Sequence, residues 1–251
     1  MIRYLTCLFF VVSCCSVANI NNEPINNLTA FKSAVSPDFP NGLHYKLLQH
    51  ISKKLNQPVD IQYAPFARRL NLLNNGQIDL VVGIRKTPER EKKYIFINPG
   101  YSIASGGSGL YTLTKKFTTD RTTDKAIDNK TTRLIAVTTG SLYLADYKLP
   151  YPYKKIEVAS LEQCIKLLLR GRIHGFVHSK VAANRTLNLM SLTHKISLTE
   201  RSVKNKGQVV NYIAIAKTSM LANKVEQLKQ IAQELRQGEY QKIYQQHYQP
   251  K

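Results

Sequence analysis

The chain has 251 residues, with 36 lysines and arginines against 16 aspartates and glutamates and a formal net charge of +20. Its 43% apolar and 21% charged content excludes a disordered or fibrous protein, and beyond residue 20 no run approaches the ~18 apolar residues of a membrane span. The charge leaves nucleic acid, an anionic surface or an anionic ligand as partner classes, but no zinc module, RNA-binding aromatic motif or basic heptad region favours nucleic acid.

The chain opens Met1-Ile2-Arg3, runs apolar from Leu5 to Val12 and reaches the small residues Ser16-Val17-Ala18. That order predicts a secretory signal peptide over residues 1–18 and a periplasmic protein beginning at Asn19. A rival cut exists, because Val11-Val12-Ser13-Cys14 resembles a bacterial lipoprotein box; lipidation of Cys14 would anchor the protein to the membrane by acyl chains. With cleavage after Ala18 only Cys164 survives, so no internal disulfide forms. No cysteine pair has zinc-ligand spacing, and neither a metal nor a cofactor is expected.

A helix is legible from Leu43 to Leu55, where Leu43, Leu47, Leu48, Ile51 and Leu55 make one apolar stripe. Val59 to Tyr63 alternates as a strand. Pro65 suits the first turn of a helix running to about Asn74, Gly76 stops it, and Ile78 to Val82 reads as a buried strand, with Asp79 fixing its start. Further on, Leu134 to Val137 is a strand whose Thr138-Thr139-Gly140-Ser141 turn leads to another helix. Ser160 and Gln163 form a capping box for a helix over Leu161–Arg170, Gly171 ends it, and Ile173 to Val177 is a strand. Leu70–Gly83 and Ile165–His178 share a helix, a glycine and a strand in register. This repetition predicts two similar α/β lobes. A strand over Tyr212–Ala216, a helix with Val225, Leu228, Ile231, Ala232 and Leu235 at helical spacing, and a Tyr/Gln-rich tail complete the chain.

Asn75–Tyr101 (NGQIDLVVGIRKTPEREKKYIFINPGY) resembles the signature of the family 3 bacterial extracellular solute-binding proteins. The resemblance rests on Gly76, Ile78-Asp79-Leu80, Gly83, Thr87-Pro88-Glu89-Arg90, Phe96 and Pro99-Gly100-Tyr101. Pro65-Phe66-Ala67-Arg68-Arg69-Leu70 is similar to the family's P-W-x-R-A-L segment, and further matches follow in family order to the tail. It implies an α/β fold of type II periplasmic binding protein kind: two lobes joined by two hinge strands and closing on a ligand in the cleft. Lobe 1 would span residues 26–110 plus 210–251, and lobe 2 residues 111–209.

The implied role is capture of a small polar, carboxylate-bearing solute, an amino acid or related organic anion, for an ABC-type permease or a sensor. The protein would be a monomer that binds no nucleic acid. The resemblance places Arg90 on the ligand carboxylate, through a bidentate fork that lysine cannot copy. Gly83 would allow close backbone approach, Thr139, Gly140 and Ser141 an anion-friendly rim, and Phe66 and Tyr101 apolar walls. Arg68, Arg85 and Ser179 are the remaining ligand-binding candidates. Arg85 stands where the family often has Thr or Ser, and Ser179 where it often has an Asp that pairs with the ligand ammonium. A cleft that gains an arginine and loses an acid suits an anionic ligand. His174 and His178, four residues apart along a strand, are roughly 13 Å from each other and cannot chelate together. The alternative is a periplasmic enzyme on the same fold, such as a cyclohexadienyl dehydratase-like lyase, which would need a carboxyl group in the cleft as general acid.

Overall fold

The computed structural model describes residues 29–103, 107–114, 132–147, 149, 151–199 and 209–248; the signal segment and Cys14 lie outside them. Among the described residues ten strands form two five-stranded sheets. The first holds β1 (Phe31–Val35), β2 (Val59–Tyr63), β3 (Leu80–Ile84), β4 (Tyr94–Ile103) and β10 (Val210–Ala216), in the order β2-β1-β3-β10-β4. The second holds β5 (Ser108–Leu113), β6 (Arg133–Thr138), β7 (Tyr153–Val158), β8 (Gly175–Ser179) and β9 (Ile196–Leu198), in the order β7-β6-β8-β5-β9. In each, parallel neighbours on one side meet antiparallel ones on the other. The chain passes to the second sheet before Ser108, so the lobe boundary expected at residue 110 falls inside β5. It returns between Leu198 and Val210.

Helices cover both faces. In α1 (Leu43–Leu55) the buried residues are Leu47, Leu48, Ile51 and Leu55, four of the five stripe positions. They pack with Phe31, Val82, Ile97, Ile215 and the helix α6 (Val225–Glu234) in one core of the first sheet. Its other face packs Leu72 and Leu73 of α2 (Phe66–Asn74) against Ala34, Val81 and Ala214. The second sheet is built alike: α4 (Leu161–Leu169) and α5 (Lys180–Leu189) cover one face, with Cys164 fully buried. On the other face, Leu144 and Tyr147 cover Ile135, Val137 and Val177. A one-turn helix α3 (Pro88–Glu91) precedes β4, and the Tyr/Gln-rich tail forms helix α7 (Tyr240–Tyr248).

The internal repeat has a structural counterpart. Gly76 and Gly171 end α2 and α4 with positive φ of 65° and 66°, the left-handed conformation favouring glycine at helix ends. The following strands, β3 and β8, begin at matching positions. Both start two residues later than their apolar runs suggested, because Ile78 and Ile173 are buried in the turns. Asp79 explains the delay in β3: its carboxylate accepts from Lys32 N (2.8 Å), Ser219 Oγ (2.8 Å) and Met220 N (3.3 Å), holding the turn. Two further local expectations are corrected. Pro65 is the N-cap of α2 rather than its first residue. The Thr138–Ser141 turn leads only into a single 3-10 turn, Tyr143–Asp146. Ser160 does cap α4, its Oγ accepting from Gln163 N at 3.1 Å, while Gln163 Oε1 accepts from Ala159 N at 3.0 Å.

Candidate binding cleft

A cavity of about 230 Å³ lies between the two sheets. Its walls come from the segments that follow strand carboxyl ends: Ser36 and Asp38 after β1, Arg85 after β3, Ser141 to Tyr143 after β6, and Val181 after β8. Open α/β sheets place ligands at such ends, where backbone groups and loop side chains converge without breaking the sheet. The volume falls below the ~300–1,000 Å³ of sites for drug-sized molecules and fits a smaller solute.

Arg90 is held from three sides. Thr87 caps α3, its Oγ1 accepting from Arg90 N at 3.3 Å, which orients the first turn. The guanidinium lies over the Phe66 ring, 5.7 Å from its centroid. Its Nη1 donates to Arg85 O and its Nη2 to Gly140 O, both at 2.8 Å. The second bond crosses from one sheet's domain to the other's. Arg85 makes a second crossing, its Nη1 donating to Leu142 O at 3.1 Å. Asp38 makes a third, its Oδ2 accepting from Leu161 N at the start of α4, at 3.3 Å.

Of the residues singled out by sequence, Phe66, Gly83, Arg85, Arg90, Ser141 and Ser179 line this cavity. Gly140 stands at its rim through the carbonyl that receives Arg90. Thr139 is turned into its own lobe, its Oγ1 donating to Val158 O at 3.1 Å. Tyr101 is no cleft wall, because it is buried in the α1 core against Tyr240, its hydroxyl beside the Gly83 backbone. Arg68 is exposed away from the cavity, and its neighbour Arg69 takes the inward position. His174 is engaged structurally, its Nδ1 accepting from Leu134 N at 2.9 Å.

Sequence reasoning passed over Asp38, His44 and Tyr143, weighed His178 only as a metal ligand and placed Arg68 rather than Arg69 at the ligand, whereas Asp38, His44, Arg69, Tyr143 and His178 all line the cleft. The loss of an acid at Ser179 is therefore not a loss of all acid: Asp38 supplies one from the opposite lobe. The described lining still sets three arginines against that single carboxylate. Burial lifts the Asp38 carboxyl above its ordinary range, opposed by the Leu161 N–H. Burial also lowers the Arg90 guanidinium, and lowers Arg69 to about 10. His44 sits against Gly83, and its residual surface faces the cavity; burial, then the nearby Arg69, lowers it to about 4. His178 packs beside Tyr143, ring centroids 4.8 Å apart, and burial lowers it to about 4 as well. Both imidazoles are uncharged at neutral pH. Among the described residues no group of His, Cys, Asp and Glu is arranged to hold a metal ion.

The two histidines give stability a definite pH dependence. The unfolded chain takes up protons on them near 6.5, whereas the folded chain resists until about 4. Their contribution is fully present above pH 6.5 and is lost as pH falls from 6.5 toward 4, by no more than about 7 kcal/mol for the pair. The urea midpoint is expected to drop between pH 7 and pH 4.5, and the drop to shrink in a His44→Gln/His178→Gln variant. An equal drop in that variant would place the effect elsewhere.

The sequence matches "Bacterial extracellular solute-binding proteins, family 3" over residues 31–250. It is 23% identical over 203 residues to the "Probable amino-acid-binding protein YxeM" of Bacillus subtilis (strain 168), a stretch covering 76% of this chain and 74% of that protein. The substrate binding protein of an amino acid ABC transporter superposes with a TM-score of 0.69 at 21% identity, covering 88% of this chain and all of the other. A histidine kinase sensor domain with similarity to periplasmic binding proteins superposes with a TM-score of 0.67 at 16% identity, covering 88% and 97%.

Proposed function

The chain belongs to the family 3 bacterial extracellular solute-binding proteins, and from that premise we propose that it captures a small carboxylate-bearing solute, an amino acid or related organic anion, by closure of two lobes. The described residues of 29–103 with 209–248 form one lobe and those of 107–199 the other. The observation that carries this reading is the charge of the described cleft lining: among the described residues three arginines and one carboxylate surround a cavity of about 230 Å³. Arg90 and Arg85 supply planar donor sets, and bonds from Arg90, Arg85 and Leu161 across the cleft favour the closed arrangement. Exchange of the Gly140 carbonyl for a ligand carboxylate would give Arg90 an ion pair in place of a bond to an uncharged acceptor.

The closed, loaded form would be read by a separate membrane partner, an ABC-type permease or a sensor. The protein would act outside the cytoplasm as a monomer. Ligand contacts are assigned to Phe66, Gly83, Arg85, Arg90, Gly140, Ser141 and Ser179, with Asp38 and Arg69 added from the cleft geometry.

One observation favours catalysis as a second reading. Asp38 lines the cleft with raised proton affinity, a property suited to a general acid. Incubation with prephenate or arogenate separates the two. A receptor binds stoichiometrically at most and returns its ligand unchanged. Sustained product formation, lost in Asp38→Asn, would make the protein a lyase.

A further inference from the structure

Arg69 is the least satisfied charged group in the cleft. It is 6% exposed, yet among the described residues its Nε has no hydrogen-bond partner. Asp38 and Tyr143 are near enough to be felt electrostatically, but neither forms an ion pair or hydrogen bond with it. The Phe66 ring supports its flat face at 5.1 Å from the centroid, which compensates a buried guanidinium only in part. Two more orphaned atoms belong to residues that line the same cavity, both from the other lobe. Among the described residues Ser141 Oγ is buried without a partner, and so is His178 Nδ1 on a side chain that is 7% exposed. Three of the five orphaned buried side-chain atoms in the described structure thus belong to residues that line one small cavity. Buried polar atoms are rarely left unpaired, and such atoms beside a cavity are met by an ordered water, an ion or a ligand.

Arg90 differs in kind. Its fork is already occupied by carbonyls, and it lies on the same Phe66 ring as Arg69. Two guanidiniums on one ring present two separate anion positions within reach of one short molecule.

We infer that Arg69, with Ser141 and His178, forms a second anion subsite, so that the solute carries two carboxylates on a short chain. The inference rests on the proposed solute-binding reading and narrows it. Arg69 takes one carboxylate through its Nε–Nη edge, Ser141 donates its hydroxyl, and neutral His178 donates from Nδ1. Arg90 holds the other carboxylate. Asp38 is the position for an ammonium group where the ligand has one.

Calorimetric titration of the wild-type protein and Arg69→Met with L-glutamate, glutarate and L-glutamine tests this. Wild type is expected to bind L-glutamate at least ~30-fold more tightly than L-glutamine, as loss of a buried charge pair requires. Arg69→Met is expected to lose that preference, its affinities for L-glutamate and L-glutamine falling within about threefold of each other. Glutarate equal to L-glutamate means two carboxylates suffice, while weaker but Arg69-dependent binding assigns an ammonium to Asp38; both uphold the subsite. Wild type binding L-glutamine as well as L-glutamate, or a preference that survives in Arg69→Met, overturns the inference and leaves the receptor reading standing. Binding of none of the three overturns both.

Ligand-free thermal unfolding separates a binding role from a structural one. Met retains most of the packing of the arginine stem, so the ligand-free melting temperature of Arg69→Met is expected to equal or exceed wild type. A marked fall would make Arg69 structural and overturn the inference. Arg69→Lys, which keeps charge without the fork, is expected to fold and to retain only part of the preference.

Discussion

Replacing Arg90 by alanine is expected to weaken carboxylate binding by about 100-fold or more. Arg90 is half-buried, stacked on Phe66, and already donates two bonds of 2.8 Å, one of them to Gly140 O in the other lobe. Truncating one partner of a buried, hydrogen-bonded charge pair costs about 2–5 kcal/mol or more, because the remaining charge stays desolvated and unpaired. The variant also loses a bond that joins the lobes, so the closed arrangement itself is weakened. Arg90→Lys is expected to recover only a small part of the loss, since an ammonium cannot span two oxygens in a plane. Calorimetric titration of the three proteins with one solute checks this. Affinity within about threefold of wild type in Arg90→Ala would remove the residue from the site.

Gly83→Val is expected to be the most damaging single change for stability near the cleft. Gly83 has a φ of +75°, and a Cβ there would stand 2.3 Å from Cε1 and Nε2 of the His44 ring. A β-branched residue meets both problems at once. The backbone strain is worth roughly 1–3 kcal/mol, and the overlap typically another 1–3 kcal/mol. For a chain of this size each kcal/mol lowers the melting temperature by roughly 2–4 °C, so a fall of roughly 4–24 °C is expected by thermal unfolding. Gly83→Ala should fall less. His44 displaced from Gly83 would be driven toward the cavity it lines, so ligand affinity should fall together with stability. A variant that melts like wild type would mean that His44 can move aside without cost.

Most of the architecture was legible before the structure because it depends on local pattern. The stripe of α1, the Ser160 cap of α4 and the stopping glycines Gly76 and Gly171 are all written within a few residues of where they act. Where local reading failed, a distant partner decided. β3 begins late because Asp79 is tied to Lys32 and Ser219, residues far from it in sequence. Of two adjacent arginines, α2 could turn only one inward, and the packing of its Leu72 and Leu73 on the first sheet left Arg69 buried over the Phe66 ring.

The cleft was half legible for the same reason. Arg90 and Gly83 belong to one continuous motif, whereas Asp38, His44, Tyr143 and His178 come from four separate segments that only the two sheets bring together. The placement of Ser36–Phe39 directly after β1 was a usable signal, because loops at strand carboxyl ends build the sites of open sheets. Tyr101 was misjudged as a wall because an aromatic beside a glycine motif looks the same in sequence whether it faces a ligand or a core. Here it faces α7. The large positive charge of the whole chain said little about the ligand; three inward arginines say more.

Titration of the wild-type protein with L-glutamate and then with its dimethyl ester shows whether this cleft recognises a carboxylate. Esterification leaves the chain and ammonium in place and removes both negative charges that the arginines would hold. Saturable binding of one L-glutamate per chain, with the ester weaker by about 100-fold or more, is the expected result. Equal affinity for acid and ester would contradict it.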